Sequence, residues 1–262
     1  MRKLTMILAG VAALAAPVCV YGTGFGSLVS SFKSPDAWPL GLAYRPGRIY
    51  IATLACGVVW EVTKAGSIIN YHPVNLGGVC GLTRGTISGN TYYWLADEGT
   101  KRIYRYVDNS SSIHGSFPAP GPKPWGLSFV DANHMYHTDE GDGVYIDPKL
   151  YLLHPVNGSV YASYKLSFRP GDIAYDDSGY LWITGPNVAV KSVFRCTLTG
   201  SPIASFSVAQ YGHPGGCAYD GEYLWLGVYE ITIPFHAIMR FSLREEPAVE
   251  PASLGRVKAL YR

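Results

Sequence analysis

The run Asp172-Ile173-Ala174-Tyr175, Leu181-Trp182-Ile183-Thr184, Val193-Phe194-Arg195-Cys196 and Gly200-Ser201-Pro202-Ile203-Ala204-Ser205-Phe206 decides the fold, because its four short segments recur along the chain. The second segment is the clearest marker. Apolar stretches centred on Tyr50, Trp94, Tyr136, Trp182 and Trp225 stand 44, 42, 46 and 43 residues apart. Four strands repeated at roughly 40–45 residues are the signature of a propeller blade. The sequence predicts an all-β chain, a single five-bladed β-propeller of four-stranded blades. A β-sandwich of similar strand content would not repeat one four-strand unit five times in order.

Within each repeat the first segment is short and small: Gly41-Leu42-Ala43-Tyr44, Gly126-Leu127-Ser128-Phe129 and Gly216-Cys217-Ala218-Tyr219, with Gly78-Val79-Cys80-Gly81 as a looser version in blade 2. Small residues suit the innermost strand, where backbones crowd the central channel. The bulkier second segment, as in Arg48–Thr53 and Tyr92–Asp97, reads as buried on both faces. The third alternates large and charged residues, as in Val58-Val59-Trp60-Glu61-Val62 and Ile238-Met239-Arg240-Phe241, the period-two pattern of a strand with one wetter face. The fourth follows a turn, and Pro202 marks it as an edge strand. The fifth repeat stops after Phe241, yet Gly26-Ser27-Leu28-Val29-Ser30-Ser31-Phe32 near the start matches Gly200–Phe206. The last blade is therefore expected to be closed by the N-terminal strand, which removes an exposed sheet edge.

Three regions follow. Residues 1–22 read as an export signal: Arg2 and Lys3 precede an apolar run, Leu4 to Val18, that is too short to span a bilayer, and cleavage is expected after Ala15 or Gly22. Ala16-Pro17-Val18 before Cys19 is a poor lipoprotein flank, so the expectation is a freely secreted protein, periplasmic, extracellular or at the cell surface. Residues 23–244 form the propeller. Residues 245–262, with Pro247, Pro251 and a basic end, read as a sorting or docking tail or as a frayed terminus.

The whole chain carries 21 basic and 19 acidic residues, and loss of Arg2 and Lys3 leaves the two balanced. That balance argues against electrostatic steering to nucleic acid or to an anionic membrane. The partners expected are a small molecule, a glycan or a protein, met by a monomer with no membrane span. Four cysteines lie beyond the signal. Cys56 with Cys80 and Cys196 with Cys217 are the pairs nearest in the blade map for disulfides; buried free thiols are the other reading.

In a propeller the loops before first strands and those between second and third strands share one face. The first set supplies Trp38, Trp125, Arg169 and His213 as candidate binding residues, and the second adds Tyr229. Trp38 and Trp125 could stack a sugar or cover the channel; Arg169 could hold an anion or pair with Asp139 or Glu140; His213 could be a base, a ligand or a loop residue. Asp97, Asp139 and Asn187 are the candidate metal ligands, calcium being the ion such oxygen donors suit. The repeated Asp-Glu-Gly at 97–99 and 139–141 reads equally as turn chemistry.

The run Gly-Leu-Ala-Tyr, then Leu-Trp-Ile-Thr or Leu-Trp-Leu-Gly, then Val-Phe-Arg-Cys-Thr-Leu-Thr-Gly-Ser resembles NHL-type and SMP-30/gluconolactonase-like propeller repeats. That resemblance implies a metal-dependent hydrolase or lyase with a Glu, two Asn and an Asp at the channel; Asn187 and Asp139 stand as members and no Glu occupies the first strand of blade 1. The chain is also similar to five-bladed plant-type glutaminyl cyclases in its opening Gly-Leu. Where that family carries Glu-Ser-Thr-Gly, this chain has Ala52-Thr53-Leu54-Ala55, so the activity is not carried over. Two functions are left: a non-catalytic binding propeller, favoured by scattered aromatics and near-zero charge, and a metal-dependent enzyme supported by the acidic loops.

Overall fold

The largest side chains of each repeat sit on its second strand, and they place the core between the blades. The structure is a computed structural model and describes residues 24–54, 57–108, 110–186, 189, 191–230 and 236–244. Within it Trp94, Trp182, Trp225 and Tyr50 are fully buried and Tyr136 nearly so. Residues 1–22, expected to be an export signal, and the tail at 245–262 lie outside the described residues. Among the described residues, no helix is long and apolar enough to cross a membrane.

Twenty strands form five antiparallel sheets. After β1 (Leu28–Lys33), blade 1 comprises β2 (Pro39–Arg45), β3 (Arg48–Thr53), β4 (Val58–Thr63) and β5 (Ile68–Pro73). Blade 2 comprises β6 (Val79–Ile87), β7 (Asn90–Asp97), β8 (Arg102–Val107) and β9 (Ile113–Pro118). Blade 3 holds β10 (Pro124–Phe129), β11 (Met135–Asp139), β12 (Lys149–Leu153) and β13 (Val160–Lys165). Blade 4 holds β14 (Ile173–Tyr175), β15 (Leu181–Gly185), β16 (Ser192–Cys196) and β17 (Pro202–Ser207). Blade 5 has β18 (His213–Tyr219), β19 (Tyr223–Tyr229) and β20 (His236–Ser242). Its sheet runs β1-β20-β19-β18, with Leu28 opposite Phe241 and Phe32 opposite Ile238. The N-terminal strand thus closes the ring, as the match between Gly26–Phe32 and Gly200–Phe206 foretold.

Five apolar clusters fill the blade interfaces. Tyr50, Ala52 and Val59 meet Leu82, Tyr93 and Leu95 between blades 1 and 2, and Trp182 and Val193 meet Cys217, Leu226 and Phe241 between blades 4 and 5. Each sheet is therefore apolar on both faces near its middle, which is why the second strands show no polar alternation. The indole N–H groups that this burial removes from water find acceptors: Trp182 donates to Asp176 (2.9 Å) and Trp225 to Asp220 (2.9 Å), while Trp94 donates to the Pro155 carbonyl (2.8 Å).

Blade 2 corrects the reading of its inner strand. Leu42 pairs with Ile51 as Leu82 pairs with Leu95, so the equivalent of Gly41–Tyr44 is Gly81-Leu82-Thr83-Arg84 and not Gly78–Gly81. A register shift between Val79 and Gly81 puts Gly78 in the preceding loop, where its carbonyl accepts the Glu98 N–H at 2.9 Å. The disulfides also fall away. Cys80, Cys196 and Cys217 are buried free thiols, and Cys56 lies outside the described residues. Cys196 packs with Leu150 and Ile183 between blades 3 and 4, whereas Cys217 packs between blades 4 and 5. The two sulfurs lie on opposite faces of the blade 4 sheet.

At the axis, the residues just before the inner-strand row Leu42, Leu82, Leu127, Ile173 and Cys217 are Gly41, Gly81, Gly126, Asp172 and Gly216. A β-carbon on Gly41 would stand 2.6 Å from the Leu82 nitrogen, and one on Gly216 2.8 Å from the Gly41 carbonyl carbon, so adjacent inner strands touch backbone to backbone. Only blade 4 has a side chain in this row. The Asp172 carboxylate is fully buried and accepts N–H groups of Leu42 (3.2 Å), Leu127 (3.2 Å) and Cys217 (2.9 Å), joining blades 1, 3 and 5 to its own. Burial pushes its pKa well above the usual carboxylate range, against the pull of those donors and of the Ile173 N–H. Asp172→Ala would leave several buried N–H groups without an acceptor, at about 1–3 kcal/mol each. The expected outcome is a large fall in the urea midpoint at neutral pH or failure to fold; an unchanged midpoint would remove Asp172 from the ring's support.

His137 is another polar side chain in the buried interior. It stands where the other blades carry Ile51, Leu95, Ile183 and Leu226, with Nδ1 against the Gly126 carbonyl at 2.9 Å. Burial lowers its pKa from 6.5 to about 4. A depressed histidine contributes stability that is complete above its unfolded pKa and is lost as pH falls toward the folded one, here between about 6.5 and 4, by about 3 kcal/mol in full. Urea titrations at pH 7 and pH 5 are expected to show His137→Leu losing less stability on acidification than the parent. Equal losses would contradict this account.

Candidate functional site

The mouth is built where inner strands begin and second strands end. Pro39 pairs with Thr53, Val79 with Asp97, Pro124 with Asp139 and His213 with Tyr229, so one rim carries the loops before β2, β6, β10, β14 and β18 together with those after the second strands. The two Asp-Glu-Gly motifs divide their work here. The Asp closes its own turn: Asp97 Oδ2 accepts the Thr100 N–H (3.1 Å) and hydroxyl (2.5 Å). Likewise Asp139 accepts the Lys123 N–H (2.9 Å) and the Gly141 N–H (2.8 Å), with Gly141 in the left-handed region at φ 70°. Burial raises the Asp139 pKa, and those two N–H bonds oppose the rise.

The Glu of the second motif points into the mouth. Glu140 is buried and forms ion pairs with Lys123 from the loop before β10 and with Arg169 from the loop before β14. Lys123 also reaches Glu98 at 3.8 Å and lies over the Trp125 ring, 5.9 Å from its centroid. Of the two partners proposed for Arg169 in the sequence, Glu140 is the one it takes. The two cations from adjacent loops offset part of the cost of burying the Glu140 carboxylate.

Opposite this network the aromatics stack on one another. Trp38 lies 5.0 Å from the Tyr229 ring, and His213 lies 5.5 Å from the same ring, nearly parallel at 19°. His213 Nδ1 contacts the Pro186 carbonyl at 3.0 Å. Trp38 has a left-handed φ of 58°, uncommon for a bulky residue. It is held there by the Leu54 N–H on its carbonyl (3.2 Å) and by its own N–H toward His236 Nδ1 (3.4 Å). Burial pushes the Tyr229 hydroxyl up to about 12; the Glu140 charge adds to that rise and Arg169 opposes it.

The structure therefore pairs Arg169 with Glu140, stacks Trp38 and His213 on Tyr229, and sets Lys123 over Trp125. It does not gather the acids: Asp97 and Asp139 serve separate turns, and among the described residues no group of three or more His, Cys, Asp or Glu could hold a metal ion. Asn187 lies outside the described residues. The sequence reading left Lys123 and His236 out of the site and named Glu140 only as one of two partners for Arg169. Asp172 was missed too, although its place in a column of glycines was a visible signal.

Comparisons with known proteins agree with the fold. No protein-family model matches the chain, and no curated protein matches it. Among solved structures it is similar to the glutaminyl cyclase of Myxococcus xanthus, with a TM-score of 0.62 and 11% identity over 84% of this chain and 97% of that one. It is also similar to the PQQ-bound aldose sugar dehydrogenase of Streptomyces coelicolor, with a TM-score of 0.53 and 14% identity over 82% and 97% of the two chains. The WD40 β-propeller domain of Doa1 matches with a TM-score of 0.51 and 14% identity, over 78% and 63%. The class is thus a five-bladed β-propeller. Some of its structural neighbours are enzymes, and at these identities the likeness is one of fold alone.

Because both Asp139 oxygens and Asp97 Oδ2 already accept N–H or hydroxyl donors of the protein, millimolar calcium added after EDTA is expected to leave the melting temperature unchanged. A ligand binding only the native state at a hundred times its dissociation constant would stabilise by about 2.7 kcal/mol. A clear rise with calcium, lost in Asp139→Ala, would restore the metal reading.

Proposed function

We propose that this protein is an exported, non-catalytic binding propeller whose mouth takes a small polar ligand or the end of a chain. The export segment at residues 1–22 supports the location. The observation that carries the binding reading is a pair of buried polar atoms at the mouth with no protein partner, the indole Nε1 of Trp125 and Oδ1 of Asp97. Elsewhere in the propeller the indoles of Trp94, Trp182 and Trp225 are satisfied, and Trp60 Nε1 on β4 is the other buried indole nitrogen without a partner among the described residues. A buried donor without an acceptor costs about 1–3 kcal/mol, and a ligand acceptor at the mouth would recover that cost on binding.

The strained backbone of Trp38 fits the same reading, since unusual φ values concentrate at ligand-clamping positions. Trp38 caps Tyr229 and is half-buried, so a ligand would meet its edge and not a broad open face. Recognition would then rest on the donors of Trp125 and Arg169, the acceptor of Asp97 and one aromatic edge. Asp139 is engaged through both oxygens and Asp97 through Oδ2, and that favours binding over metal-assisted hydrolysis.

Glycan and peptide arrays followed by tryptophan-fluorescence titration test this. A ligand found this way is expected to bind about tenfold more weakly to Trp125→Phe, which keeps the ring and removes the N–H, the scale of one hydrogen bond. Equal affinity for parent and variant would place the ligand elsewhere on the molecule.

A further inference from the structure

The loop between β11 and β12 is the longest of its kind. It spans nine residues, against four in blades 1 and 2 and six in blades 4 and 5. Its tip is apolar and exposed: Val144 is 74% and Tyr145 90% accessible. The tip is tied to Asp142 at its base. Asp142 Oδ1 accepts the N–H groups of Val144 (2.9 Å), Tyr145 (2.7 Å) and Ile146 (2.7 Å), and the Asp142 N–H closes on the Ile146 carbonyl at 3.2 Å. These bonds also hold the Asp142 carboxyl below its usual range.

Between this tip and Arg169 lies a groove of about 330 Å³, walled by Val144, Tyr145, Ile146 and Pro148 and floored by Glu140. The charges around it are uneven. Asp147 is answered by Lys165 at 2.8 Å, and Glu140 is answered by Lys123 as well as by Arg169. Arg169 engages Glu140 through Nε, its side chain is 49% accessible, and among the described residues its guanidinium has no hydrogen-bond or ion-pair partner other than Glu140. A guanidinium edge free at the side of an apolar groove is a carboxylate receptor, because two parallel N–H donors match the two oxygens of one carboxylate.

We infer that this groove binds the C-terminus of a peptide, with the free α-carboxylate on Arg169 and an apolar last side chain against Val144 and Ile146. The inference rests on the binding reading of the mouth and names its ligand class. An aliphatic wall favours a peptide side chain over a sugar acid, whose hydroxyl-coated ring would lose water there without hydrogen bonds in return. The rigid tip adds to this, since a wall that is already ordered loses little entropy when it is covered.

The probes are a fluorescent tripeptide ending in leucine with a free carboxylate, the same peptide as its C-terminal amide, and a uronic acid disaccharide, each titrated by anisotropy or calorimetry. The acid peptide is expected to bind, the amide at least about tenfold more weakly, and Arg169→Gln to lose a similar factor for the acid alone. Arg169→Lys, which can retain the ion pair to Glu140 and lacks the fork, is expected to weaken the acid several-fold with an unchanged melting temperature, and Val144→Ser to weaken it without changing the acid-to-amide ratio. Equal binding of acid and amide, or binding indifferent to both Arg169 variants yet weakened by Trp125→Phe, would overturn the inference and leave the mouth reading standing. Binding of the uronate alone would overturn it likewise, and binding of none of the three probes would do the same.

Discussion

Five β-sheets meeting edge-on around an axis create a difficulty that the apolar blade interfaces do not solve. Inner strands pair with their second strands on one side only, so alternate N–H groups face the channel with no strand to receive them. Here the strands are drawn into backbone contact by Gly41, Gly81, Gly126 and Gly216, and the donors are received by one carboxylate, Asp172, placed in the row where the other blades have glycine. Burying that carboxylate is unfavourable by itself; it persists because its two oxygens accept N–H groups from blades 1, 3, 4 and 5 at once. The hydroxyls of Thr83 and Ser128 do the same further along, taking the N–H groups of Phe129 and Tyr175 at 2.8 Å.

The mouth depends on that ring, because each of its loops leaves or joins an inner or second strand whose position the axis sets. Lys123 and Glu140 arrive from blade 3, Arg169 from the loop entering blade 4, His213 and Tyr229 from blade 5 and Trp38 from the loop entering blade 1. Their convergence is a consequence of closure through β1 and β20, since the Trp38 loop follows β1 directly. Within the acidic motifs the chemistry separates by one residue. The Asp, at the end of its strand, turns back to its own loop, while the following Glu projects toward the axis, where in blade 3 it is buried between two cations and in blade 2 it remains partly exposed.

The sequence by itself determined the architecture. A period near 44 residues, small inner segments and aromatic second segments can only be buried together by stacking sheets around an axis, and the copy of Gly200–Phe206 at Gly26–Phe32 specified the closing strand. These are local patterns with a repeat, so they survive without knowledge of long-range contacts. The slip of three residues in blade 2 shows where that ends: a bulge shifts register without altering composition, so Gly78–Gly81 and Gly81–Arg84 looked alike. What only the tertiary structure decided are contacts between residues of different blades. Cys196 and Cys217, 21 residues apart, are separated by the sheet between them; Glu140 and not Asp139 takes Arg169; and Asp172 gathers donors from residues 42, 127 and 217. Which side chain meets which across an interface depends on the twist and pleat of two sheets together, and neither is written in the residues of one.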